Sequence, residues 1–193
     1  MGISDPLAPL IQFIGAVKRF DEKVVLDGFD WEIPFGSRVC LGGPSGVGKT
    51  TLLRILAGLD RLDSGSVIGL PGVVSYQFQE DRLLPWYTAR RNLSLITDEP
   101  DVWLERVGLG GEGSHYPDEL SGGMRRRLSL AKALATPAPL LLLDEPFKEL
   151  DADSKARIME LVRGQSDGRR GWIILVTHDP RDAEALGFEY KQL

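Results

Sequence analysis

Hydrophobic residues recur along this chain with two periods, and the switches between them predict the order of elements. From Ile11 to Ile33 the pattern is mostly that of strand. Phe29, Trp31 and Ile33 alternate with Asp30 and Glu32, as in a half-buried antiparallel strand. Residues 1–10, with Pro6 and Pro9, read as a loose leader. Pro34-Phe35-Gly36-Ser37 turns the chain into Arg38–Gly42, a short buried strand, and Thr51–Gly58 follows the helical period to a terminal glycine. Asp60–Gly72, with Asp63-Ser64-Gly65 and Pro71-Gly72, predicts a turn-rich connection, and Val73–Phe78 another strand. Thr88–Ile96 and Asp101–Val107 predict helices, the second closed by Gly108. After Leu120 a longer helix sets Met124, Leu128, Leu130, Ala131 and Leu134 mostly on one side, with Arg125–Arg127 on the other. Pro139–Leu143 is unbroken and apolar, as in a strand covered on both faces. Ala152–Arg163 predicts a helix, Gly164–Gly171 a polar connection, and Trp172–Thr177 the last buried strand.

Composition narrows the class without naming it. The 193 residues suit one domain, or one with a small inserted subdomain, and 42% hydrophobic with 26% charged residues is ordinary for a soluble protein. The net charge of -5 argues against a general nucleic-acid binder, so nucleic acid is not an expected partner. Arg125–Arg127 and Arg169-Arg170 are short basic stretches that read as solvated faces. Cys40, inside an apolar strand, reads as a small buried hydrophobe, and one cysteine permits no internal disulfide, which fits a reducing compartment. The N-terminus shows no signal-peptide pattern and no apolar run is long enough to span a bilayer, so any membrane role is expected to be peripheral.

The chemistry is concentrated between the first buried strand and the helix after it. Gly43-Pro44-Ser45-Gly46-Val47-Gly48-Lys49-Thr50 is a G-x-x-x-x-G-K-[ST] stretch in the strand–loop–helix setting that a phosphate-binding loop requires. Its glycines let successive N–H groups point at one anion, and the helix adds the positive end of its dipole. Lys49 supplies a point charge for the β and γ phosphates, and Thr50 a hydroxyl for Mg²⁺. Asp144 and Glu145 follow the strand of leucines, at the carboxyl end where ligand sites of parallel sheets lie. Asp144 would reach the Mg²⁺ and Glu145 would polarise an attacking water. His178 arrives at the same sheet edge. Ser121 and Gly123 open a second glycine-rich helix start, which suits either a phosphate or a plain N-cap. Phe20 precedes the loop, and spacing alone does not choose between core packing and a ligand contact.

The order of these pieces resembles the ATP-binding-cassette (ABC) ATPases over nearly the whole chain. Gly43–Thr50 matches the family's Walker A loop and Leu140–Glu145 its Walker B strand, while Leu120–Met124 is similar to the LSGGQ signature. Gln79 matches the Q-loop glutamine, Asp151 the D-loop aspartate and His178 the switch histidine. The resemblance implies an α/β fold. A P-loop NTPase core with a mostly parallel sheet would carry an N-terminal antiparallel β-subdomain and, over about 80–135, an inserted α-helical subdomain, all within one ATPase domain spanning 1–193. It implies ATP and Mg²⁺ as cofactors, with Phe20 stacked on adenine, Gly43 to Thr51 around the phosphates, and Thr50, Gln79 and Asp144 at the metal. Glu145 would be the general base, with His178, Gln79 and Lys49 completing the catalytic set. In the family two cassettes face head to tail, so Ser121, Gly122, Gly123 and Asp151 would contact the partner's ATP. That partner is expected to be a second copy of the chain.

Three departures stand out. Met124 replaces the signature glutamine, as it often does in importer ATPases resembling the nitrate, sulfonate and taurine group. Lys148-Glu149 replaces the small pair usual before Leu150-Asp151, and the chain is expected to be trimmed after His178. In Gln79–Trp86, Leu83, Leu84 and Trp86 suit either a groove for a permease helix or packing within the helical lobe. The implied function is an ATP-hydrolysing subunit of an importer, peripheral on the cytoplasmic face of the cell membrane. It would work with an integral membrane permease and a solute-binding protein. The competing readings are an ATP-switched clamp on another macromolecule and a cassette that binds ATP without hydrolysing it.

Overall fold

The computed structural model describes residues 9–168 and 170–193; Pro6 of the expected leader and Arg169 lie outside them. The N-terminal strands β1 (Leu10–Phe20) and β2 (Lys23–Pro34) pair antiparallel, with Phe13 opposite Trp31. A third strand, β4 (Ser64–Ile68), joins the other edge of β1, giving the order β2-β1-β4. That strand lies within the predicted turn-rich connection and corrects it. Its residues are mostly exposed, so no apolar alternation marked it. Leu10, expected in the leader, already pairs with Pro34, and the Pro9 carbonyl accepts from Phe35 N at 2.9 Å.

The second sheet holds β3 (Arg38–Gly42), β5 (Val74–Gln77), β6 (Leu140–Asp144), β7 (Trp172–Val176) and β8 (Glu189–Gln192). Its order is β5-β6-β7-β3-β8 and every pairing in it is parallel. Alternate residues of its buried strands feed two cores. Leu140, Leu142, Ile174 and Val39 face the antiparallel sheet and helix α1 (Lys49–Leu56). Leu141, Leu143, Ile173 and Cys40 face the other way, into a core shared with helices α2 (Ala89–Ser94), α3 (Pro100–Arg106) and α4 (Gly122–Ala135). Trp172 ties the layers together, its indole N–H donating to Ile33 O at 2.9 Å. Helix α5 (Ala152–Gly168) runs on through most of the predicted polar connection. After His178 the chain adds helix α6 (Arg181–Leu186) before β8. Since all five strands run one way, the turns after β3, β5, β6 and β7 converge on one edge.

Candidate active site

The loop after β3 is shaped by glycine where a side chain cannot go. Gly48 caps α1 with φ of 116°, and a Cβ there would lie 2.5 Å from Val25 Cγ1. The α1 helix starts at Lys49, two residues before the predicted start, so its N-terminal amides face the loop. Lys49 is buried, and its Nζ donates to the carbonyls of Gly43 (2.8 Å) and Pro44 (3.0 Å). Lys23, which no motif marked, reaches across from β2 to donate to Gly46 O at 2.9 Å. Two adjoining clefts of about 360 Å³ each meet at Ser45, Gln79, Glu145 and His178. Phe20 closes one end, 46% exposed. An aromatic ring left that open has a face available to another planar group.

Asp144 and Glu145 diverge at the end of β6. Asp144 has no exposed surface, whereas Glu145 turns out of the strand with φ of 51°. Burial pushes the Asp144 carboxyl above its ordinary range; hydrogen bonds from Thr50 and Tyr76 pull it down, the Glu145 charge adds to the rise and Lys49 opposes it. One of its oxygens, Oδ1, has no hydrogen-bond partner. A small cleft of about 140 Å³ brings Thr50, Gln79 and Asp144 together. Hydroxyl, amide and carboxylate oxygens around an unpartnered buried carboxylate atom are a donor set that fits a hard divalent cation.

Glu145 Oε1 lies 2.6 Å from His178 Nε2, and its other oxygen 3.5 Å from Lys148 Nζ. A carboxylate oxygen accepts, so this contact suits the His178 tautomer that carries its proton on Nε2. Behind the histidine, Thr177 is buried and donates to Asp182 Oδ2 at 2.5 Å, and Lys155 pairs with the same carboxylate at 2.6 Å. The exposed Asp179–Arg181 pair fixes the next turn, the guanidinium holding the Asp179 carboxyl down to about 2.

Ser121, Gly122, Gly123 and Asp151 do not line these clefts. Ser121 caps α4, its hydroxyl accepting from Met124 N at 3.3 Å, and Met124 packs against the helical core. Asp151 caps α5 by accepting from the Ser154 amide and hydroxyl, both at 2.8 Å. The basic run of α4 is not a solvated face. Arg126 is buried and pairs with Asp81 at 3.3 Å; Arg125 donates to Leu120 O and Arg127 to Val107 O. Between Gln79 and α2, Leu83 packs inward on the helical core while Trp86 stands 66% exposed. Asn92, wholly buried, pins that loop by bonding both the N–H and the C=O of Leu84.

Comparison with known proteins gives a consistent picture. A family model described as ABC transporter matches residues 26–148. The aliphatic sulfonates import ATP-binding protein SsuB 2 of Streptomyces avermitilis is 41% identical over 185 residues, 92% of this chain and 74% of that protein. SsuB 3 of Paraburkholderia xenovorans is 43% identical over 188 residues, 94% of this chain and 74% of its own length. Among solved structures, the ATP-binding cassette MJ0796 in a dimeric post-hydrolysis state bound to ADP and Pi is 27% identical with a TM-score of 0.81, covering 91% of this chain and 90% of that one. A second dimeric MJ0796 structure, described as a bacterial ABC transporter cassette, gives 26% and 0.82, with 94% of each chain covered.

Proposed function

We propose a function from one premise: this chain belongs to the ABC transporter family. It is the ATP-binding and ATP-hydrolysing subunit of an importer, and ATP binding closes a dimer whose closure drives a separate membrane permease. The observation that carries this is the convergence on one sheet edge of the phosphate-type loop, Asp144 and the Glu145–His178 pair at 2.6 Å. ATP lies along the loop with its base on Phe20; the N–H groups of Gly43, Ser45, Gly46, Val47 and Gly48, with Pro44 setting the turn and Lys49, Thr50 and Thr51 beside them, hold the phosphates. Thr50, Asp144 and Gln79 would hold Mg²⁺, which when bound neutralises charge on the β and γ phosphates. Glu145 takes the proton of the attacking water, and His178 orients Glu145 from one side and meets the γ-phosphate from the other. Ser121, Gly122, Gly123 and Asp151, outside the cleft of their own chain, serve the nucleotide of a second copy. That second copy turns two open half-sites into two closed ones.

The importer reading places the permease on a separate chain and this subunit at the cytoplasmic face of the membrane; among the described residues no helix is long and apolar enough to cross a membrane. The exposed Trp86, on its Asn92-pinned loop, is the contact offered to that permease. The names of the SsuB relatives support import of an aliphatic sulfonate; a solute-binding protein would deliver it to the permease. Glu145→Gln is expected to lower turnover at least about a hundredfold while leaving ATP bound, the scale of losing a general base. Hydrolysis at the unaltered rate would take Glu145 out of that role. Expression beside a neighbouring sulfonate-type permease should recover both chains together, and nucleic acid recovered instead would overturn the importer assignment.

A further inference from the structure

Tyr76 belongs to none of the motifs above, yet it touches the buried carboxylate at the end of β6. Its hydroxyl donates to Asp144 Oδ2 at 3.2 Å. The other oxygen, Oδ1, is buried without a hydrogen-bond partner, and the small cleft lined by Thr50, Gln79 and Asp144 is also lined by Tyr76. A carboxylate that is anchored through one oxygen has its rotation fixed, so the free oxygen keeps a single direction. The cleft, about 140 Å³, has room for a cation and a few of its waters.

The ring of Tyr76 is itself held. It stacks on Phe78 with centroids 4.1 Å apart and planes 27° from parallel. The Arg82 guanidinium sits 3.7 Å from the Phe78 centroid on the loop that leads to Trp86. Offset stacking and a cation over a ring are each worth only about a kcal/mol, but three planar groups in a row leave the phenol little freedom to swing away. A tyrosine serving only the core would need any acceptor. This one takes an oxygen of the carboxylate that, in the reading above, faces Mg²⁺.

We propose that Tyr76 is a positioning residue for the metal-facing carboxylate, anchoring Asp144 Oδ2 so that Oδ1 is presented to the Mg²⁺ of a bound nucleotide, with Phe78 and Arg82 clamping its ring. This rests on the assignment of Asp144 to the metal. Tyr76 acts through Asp144 and does not touch the nucleotide.

The test is calorimetric titration of ATP into the Glu145→Gln chain, with Mg²⁺ and again with EDTA. Mg²⁺ should strengthen binding, and Asp144→Ala should remove that gain. Tyr76→Phe keeps the ring and removes the hydroxyl. It should cut the Mg²⁺-dependent gain about tenfold, as loss of a carboxylate's hydrogen-bond partner does at metal sites, and leave the EDTA affinity within about twofold. In the hydrolysing chain the same variant should raise the Mg²⁺ concentration for half-maximal rate by a similar factor. Phe78→Leu, which frees the ring and keeps the hydroxyl, should lose part of the gain and serves if Tyr76→Phe does not fold. A full gain in either variant overturns the proposal while the metal site stands. Equal loss with Mg²⁺ and with EDTA also overturns it, since that marks a merely structural role. If Mg²⁺ gives no gain even before the Tyr76 change, or Asp144→Ala leaves it intact, the metal assignment fails and the role of Tyr76 with it.

Discussion

The two oxygens of Glu145 face different partners at different ranges, and those ranges decide what each partner contributes. His178 is within hydrogen-bond distance at 2.6 Å, while Lys148 is 3.5 Å away with its side chain about half exposed. A half-exposed ion pair is worth at most about 1 kcal/mol, so Lys148→Ser should change the hydrolysis rate by less than about fivefold. Removing the direct contact is another matter: His178→Ala should slow turnover about a hundredfold or more, the lower range for disabling a positioned general base, here Glu145. Steady-state kcat for the two variants checks the order, and a larger loss for Lys148→Ser would reverse the assignment of partners. The sequence showed the lysine as a departure from the family pattern but not what it would touch, because a loop residue's partner depends on a turn. That turn carries positive φ at both Glu145 and Glu149. Cys40 was legible from its apolar neighbours alone. Burial, assisted by the Asp182 charge, pushes its thiol up to about 12, which leaves it protonated and inert at neutral pH.

At the scale of elements, the buried strands and the loop between β3 and α1 were plain in the sequence because each combines an apolar run with a glycine or acidic signal. What escaped were elements lacking that contrast. Both β4 and β8 are mostly exposed edge strands, and α5 continues through residues too polar to show a helical stripe. The misjudged run Arg125–Arg127 has the same origin: charge in a sequence says nothing of the carbonyls and carboxylates that will meet it. Arg126 is the strongest case, since it ties α4 to the segment after β5 through Asp81 and through Phe78 O at 3.2 Å. Asp81 already sits above its ordinary carboxylate range, because burial outweighs the nearby arginines. Arg126→Ala strands that carboxylate, so urea unfolding should show a loss of about 3 kcal/mol, the lower end for breaking a buried pair. The double variant with Asp81→Ala should recover part of it, and equal losses in both would mean that the pair contributes nothing beyond packing.

For the whole molecule, the proposed function makes the parallel sheet edge one half of a catalytic centre, while the turn at Ser121–Gly123 caps α4 and lines none of the clefts of its own copy. Gly123 allows that half to be tested without disturbing the other. It has no positive φ, and a Cβ there would meet only Glu149 O at 3.5 Å, an ordinary contact, so a side chain fits the isolated fold. An aspartate in the first turn of α4 is also favoured by the helix dipole, by about 0.3–1 kcal/mol. Gly123→Asp should therefore unfold no earlier than the unaltered chain and bind ATP with unchanged affinity. In the closed dimer the same carboxylate would face the partner's γ-phosphate, where like charges at short range repel strongly as water leaves. The Glu145→Gln chain should elute as a dimer with Mg²⁺ and ATP, the Glu145→Gln, Gly123→Asp chain as a monomer, and Gly123→Asp alone should lose hydrolysis. A Gly123→Asp chain that hydrolyses ATP at the full rate would place the signature turn away from the chemistry and leave each copy to work alone.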